Sequence, residues 1–181
     1  FFLEKSFKKT KMEFKTYQKQ AVDLIQHCQI QRKNHPETKI HIGCDSISVV
    51  GKINYFLVVA FRYGTNGAHF IYHKEIVTVT NKTRGKWGVF MKLRHEGELT
   101  IQVANLLVDS GISKDDIILE LDFNNVVSTL YNGLIPEIQG MATSMGFHTM
   151  VKFKDDLYRG QVVTEDLIAV KAADHLCQGV A

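Results

Sequence analysis

Proline, cysteine and long apolar runs are all scarce in this chain. Its 181 residues hold only two prolines, Pro36 and Pro136, far apart, so no proline-rich linker divides the sequence. With no internal repeat and no low-complexity tract either, one domain is the simplest reading, and the length is enough to bury a sizeable core. The three cysteines, Cys28, Cys44 and Cys177, are odd in number and widely spaced, with no C-x-x-C pair. That argues against a disulfide framework and a structural zinc site, and it fits a reducing compartment. No apolar run approaches the roughly 18 residues of a membrane span, so no membrane partner is expected. The opening FFLEKSFKKTKMEF is apolar first and basic second, the reverse of a secretory leader, and the expected location is cytoplasmic. A net charge of +3 permits a nucleic-acid partner without demanding one.

What is present is an ordered series of periodic segments. Phe14, Tyr17, Ala21, Leu24, Ile25 and Cys28 recur at helical spacing and predict a surface-packed helix over 14–33. Strands are expected at 38–44, 53–63 and 68–80, the last two joined by GTNG and the first two by a tight turn near VVGK. A helix is expected from about His95, with Leu99, Val103 and Leu106 as its stripe and Gly111 as its stop. A buried strand over 115–123 follows, then a helical stretch with a break near Pro136, a short strand over 148–154, and a final helix over 164–179 with acids in its first turn. The fold class is therefore α/β: three antiparallel strands followed by alternating helices and strands, giving a mixed five-stranded sheet flanked by helices. Residues 1–37 form a basic N-terminal segment and helix packed on the domain proper, 38–181.

Four carboxylates stand out by position. HIGCDS reaches Asp45 and LELDFN reaches Asp122, each an acid at the expected end of a buried strand, where open α/β sheets bind ligands. Glu96 extends the apolar stripe of its helix, whereas Glu98 lies off it; a register slip would exchange the two. Asp174 falls on the inward stripe of the last helix. Each acid alone is most simply a cap, a turn residue or half of an ion pair, with Arg94 close to Glu96. Together, inward like charges are best explained by a bound cation, and all-oxygen ligands select magnesium or manganese.

The segments IGCDS, RHEGELTIQVA, LELDFN, SMGF with VKFK, and AVKAADHL, in that order, resemble the RNase H-like superfamily, most closely a bacterial and phage family of the YkuK type. The resemblance spans about 38–178. It implies Asp45 as the central bridging acid, Glu96 as the helix glutamate, Asp122 as the strand aspartate and Asp174 as the last metal ligand. It also implies two divalent ions, Mg2+ or Mn2+, and a nuclease that hydrolyses phosphodiester bonds of RNA, RNA/DNA hybrid or DNA.

Such a substrate needs cations. Lys82, Arg84, Lys86, Lys92 and Arg94, with Trp87 among them, precede Glu96 and suit backbone contacts plus stacking, although the bland reading is a solvated loop. Accessory candidates are Ser46, more simply a turn hydroxyl than a nucleophile, Asn124, more simply a helix cap, Lys152 at the rim, and His175. His41 also flanks the acids. The main alternative is a non-catalytic module of the same fold that binds nucleic acid or protein. An actin-like or sugar-kinase-like ATPase is disfavoured by the single domain and by GCDS lacking a following glycine turn, and a structural or host-interaction protein stays open.

Overall fold

The computed structural model describes residues 12–64, 67–79, 85–122, 133–152 and 167–180, with the backbone alone for 85–87 and 152. In chain order the elements are β1 (Phe14–Thr16), β2 (Ala21–Val22), α1 (Leu24–Asn34), β3 (Ile40–Val49), β4 (Lys52–Arg62), β5 (Ala68–Thr78), α2 (Gly85–Asp109), β6 (Ile117–Asp122), α3 (Leu134–Ser144), β7 (His148–Lys152) and α4 (Ile168–Gln178). They build one seven-stranded sheet in the order β2-β1-β5-β4-β3-β6-β7. The antiparallel β3-β4-β5 meander and the parallel pairs β3-β6 and β6-β7 form the mixed five-stranded sheet that the patterning predicts.

Side chains alternate across a strand, so each strand feeds two layers. Ile40, Ile42 and Cys44 of β3, with Ile53, Tyr55, Leu57, Val59 and Phe61 of β4, join a core with Leu99, Val103 and Leu107 of α2 and Ile138 of α3. On the opposite face Phe56, Val58 and Ala60 pack against Ala169, Ala173 and Cys177 of α4. β4 is covered on both faces, which is why it reads as a continuous apolar run. Gly43 sits under α4: a Cβ there would stand 2.9 Å from Val170 Cγ2. The Gly in IGCDS is what lets α4 lie against β3.

Four expectations need correction. The stretch 14–33 is not one helix. Its first part is the β1–β2 hairpin on the edge of β5, with Phe14 fully buried, and α1 begins only after Asp23, whose side chain accepts from Gln26 N–H at 2.8 Å as its cap. Apolar residues three and four apart mimic a helix here, while the polar cap signal marks the true start. Second, β3 does not stop at Asp45; it continues to Val49 paired with β4. Third, α2 starts at Gly85 rather than near His95, because Leu93 carries the buried stripe a turn further back. Fourth, Pro136 does not break a helix. It lies in the first turn of α3, where its missing N–H costs no hydrogen bond. The acids expected in the first turn of the last helix lie outside the described residues, as do 123–132.

Candidate active site

The parallel register of β3 and β6 ends at the pair Gly43↔Glu120. Two residues further along each strand stand Asp45 and Asp122, on the same face by the period of two. The two acids thus flank one another where the strands part. Asp45 Oδ1 accepts the Ser46 N–H at 2.7 Å. Burial raises the Asp45 carboxyl above its ordinary range, and the charges of Asp122 and Asp174 push the same way; the Ser46 N–H and the Lys92 ammonium oppose them.

Glu96 comes from α2 on the other side of β3. It is 6% exposed and accepts a short hydrogen bond from Ser46 Oγ. Burial, reinforced by Asp45 and Asp122 and opposed by Lys92, pushes its carboxyl up to about 8. Ser46 therefore spans the sheet: its N–H holds Asp45, and its hydroxyl holds Glu96. It is a strand residue, not the expected turn. The rival Glu98 is half-exposed and pairs with Arg94 at 2.9 Å, while Arg94 also reaches Glu137 at 3.5 Å. Arg94 thus serves Glu98 and not Glu96.

Asp174 corrects the sequence reading. It is exposed, with Gln178 donating to its Oδ2 at 3.0 Å, because the buried stripe of α4 is Ala169, Val170, Ala173 and Cys177. It still acts on Asp45 through space. Of the basic cluster, Lys92 acts on Asp45 and Glu96. Lys86 and Trp87 lie in the first turns of α2, while Lys82 and Arg84 fall outside the described residues. So does Asn124, and Lys152 ends β7. His175 is exposed, its ring 6.4 Å from that of Tyr17. The three cysteines are free and buried; burial pushes the Cys177 thiol up to about 12 and the Cys44 thiol well above its ordinary value, so neither is a nucleophile.

One buried carboxylate escaped the sequence reading. Glu120, 1% exposed, accepts from Ile168 N–H and Val170 N–H, both at 2.9 Å, and is bonded to His41 Nδ1 at 2.7 Å. It caps the N-terminus of α4, whose own N-cap residue, Leu167, has no side-chain cap. The signal was present, since Glu120 lies two residues before Asp122 in a buried strand and so shares its face. His41 is thereby a structural partner of Glu120.

The donors around β3 and β6 are carboxylate oxygens, which suit a hard divalent ion in kind. Among the described residues, no three of His, Cys, Asp and Glu already stand close enough to hold one. The electrostatics of the site point the same way as its donors: burial raises both carboxyls, Asp122 adds to each, Asp45 adds to Glu96, and the Lys92 ammonium opposes both shifts. No described helix is long and apolar enough to cross a membrane.

No curated protein matches this chain. Residues 20–155, three quarters of the sequence, match the family described as Ribonuclease H-like. The match takes in Asp45, Glu96 and Asp122 and stops short of Asp174. With that match over a meander that feeds parallel strands and carries its acids on β3, α2 and β6, the chain belongs to the ribonuclease H-like family.

Proposed function

We propose that the chain is a divalent-metal-dependent nuclease. The observation that carries this reading is the register of β3 and β6, which brings Asp45 and Asp122 side by side at the point where the strands part, with Glu96 behind them. Carboxylates gathered in a partly buried place repel one another, and a divalent ion among them would offset that repulsion while also performing chemistry. Mg2+ or Mn2+ bound there, two ions in the full reading, would make water nucleophilic and stabilise the leaving oxygen of a phosphodiester.

The chain's own residues supply positioning and electrostatics. Asp45 and Asp122 present oxygens to one crevice. Ser46 fixes the orientation of both Asp45 and Glu96. Lys92 lowers the cost of their charges and offers an ammonium near an incoming phosphate. Asp174, being exposed, joins from the rim.

One observation favours the non-catalytic alternative. Glu96 is satisfied by Ser46, and its raised carboxyl holds a proton at neutral pH with no ion needed. Manganese titration by calorimetry separates the two readings, with wild type beside Asp45→Asn. Binding by the wild type that the variant loses supports the nuclease. Equal heats from both, at the level of buffer, would favour the binding module.

A further inference from the structure

A cleft opens on the α4 face, on the sheet row that begins at Asp45. It is lined by Tyr17, Lys19, Phe56, Tyr72, Lys74 and His175, along with the last turn of α4. Three aromatic rings, two lysines and a histidine face one groove, with no carboxylate among its described lining residues. The sheet register ties it to the acids. Asp45 lies opposite Phe56, and Phe56 lies opposite Lys74. One row across the sheet therefore reads Asp45, Phe56, Lys74, and Lys74 stands two strand spacings, about 10 Å, from Asp45. Lys74 Nζ rests 5.3 Å from the centre of the buried Phe56 ring, which holds the ammonium over the groove. Among the described residues neither Lys19 nor Lys74 has an ion-pair partner.

The far wall is the β1–β2 hairpin tip. Tyr17 is 56% exposed, set edge-on to Phe70 with ring centres 6.0 Å apart and tilted against His175 at 6.4 Å, so much of the phenol meets solvent. Lys19 has φ 67, the left-handed region that favours glycine, and it is the only described non-glycine residue there. Glycine or asparagine would hold this turn at less cost. The turn thus carries a lysine at a position where backbone energetics argue against one, next to an exposed ring, in a cleft that a second lysine also lines.

We infer that this cleft is the track for a single-stranded nucleic acid, its bases stacking on Tyr17 and its phosphates meeting Lys19 and Lys74 before the strand reaches the acids. Cations interleaved with exposed rings are what sequence-tolerant strand binding requires. The inference rests on the nuclease reading for its direction, since the track is useful because it leads to Asp45. It assigns the substrate contact to the α4 face, whereas the basic run 82–94 leads into α2.

The test is binding without hydrolysis. Fluorescence anisotropy would follow labelled oligouridylate, oligothymidylate and a duplex of the same length in EDTA. The wild type is expected to bind the single strands more tightly than the duplex. Tyr17→Ala should weaken that binding about tenfold. Lys19→Gly with Lys74→Ala should make the log–log salt dependence shallower by about 1.4. Lys74→Arg should keep both affinity and slope. Lys19→Gly alone should unfold at the same or higher urea concentration than wild type, because glycine relieves the turn, so its loss of binding is not a loss of fold. No binding at low salt, preference for the duplex, or cleft variants that bind like wild type would each overturn the track. Because no divalent ion is present, the two readings fail separately. Cleavage unaffected by the cleft variants sinks the track alone; cleft-dependent strand binding with no cleavage under Mg2+ or Mn2+ sinks the hydrolysis alone.

Discussion

Ser46 is the residue on which the site turns. A strand residue sends its side chain to one face and its neighbours' side chains to the other, so a single serine touches carboxylates on both sides of β3. The Glu96 it holds carries a proton in the folded protein up to about pH 8, whereas a free glutamate loses it near 4.3. Between those values the folded state binds a proton that the unfolded chain has released, so stability is greatest at low pH, falls as pH rises through this window, and levels off above 8. Asp45, also raised, contributes in the same direction. Glu96→Gln removes one titration. Its urea midpoint should equal that of wild type near pH 4.5 and exceed it increasingly toward pH 8. Parallel midpoint curves for the two proteins across that range would mean that Glu96 is ionised throughout. Periodicity on α2 finds Glu96 inside and Glu98 at the rim. Adjacency to Asp45 makes Ser46 an accessory candidate, but a hydroxyl in a strand carries no signal that Glu96 stands across from it.

At the scale of elements, legibility follows how much of an element's packing lies in its own sequence. β4 advertises itself through an apolar run and β5 through β-branched and aromatic residues after GTNG, and their pairing is local. The α4 stripe is also local, yet counting from Leu167 and Val170 in the sequence puts Asp174 inside, whereas the buried residues Ala169, Val170, Ala173 and Cys177 put it outside. Small side chains do the burying there because Gly43 brings β3 close, a fact that lies more than a hundred residues away. The anchoring of α4 is likewise non-local. Glu120 in β6 caps it through two N–H groups and is itself held by His41 of β3. Glu120→Gln turns one acceptor into a donor facing an N–H, so it should cost about 3 kcal/mol in urea unfolding, concentrated in loss of α4. Hydrogen exchange in α4 should rise well before exchange in β4 does. A variant within about 0.5 kcal/mol of wild type would show that α4 is held by its apolar face alone.

For the whole molecule, the meander followed by parallel crossovers was legible because the order of periodic segments fixes it, and the family match over 20–155 agrees with that order. Strands β1 and β2 were not, since a hairpin this short has no period of its own and is held in the sheet by pairing with β5. That edge is also where Tyr17 and Lys19 enter the proposed strand track. The positions of the acids were legible in part. Asp45 and Asp122 follow from two neighbouring parallel strands, whereas their association with Glu96 depends on how α2 crosses β3.

The most direct measurement is cleavage of end-labelled RNA, DNA and RNA/DNA hybrid by the wild type with Mg2+, with Mn2+ and with EDTA, beside Asp45→Asn. The expected result is cleavage of at least one substrate that needs the divalent ion and falls roughly a hundredfold or more in Asp45→Asn, about 2.7 kcal/mol of barrier, while the variant stays folded with an equal or higher unfolding midpoint, since one of the like charges is gone. Cleavage that persists undiminished in a folded Asp45→Asn, or no cleavage of any substrate under either ion, would contradict the assignment of these acids to phosphodiester hydrolysis.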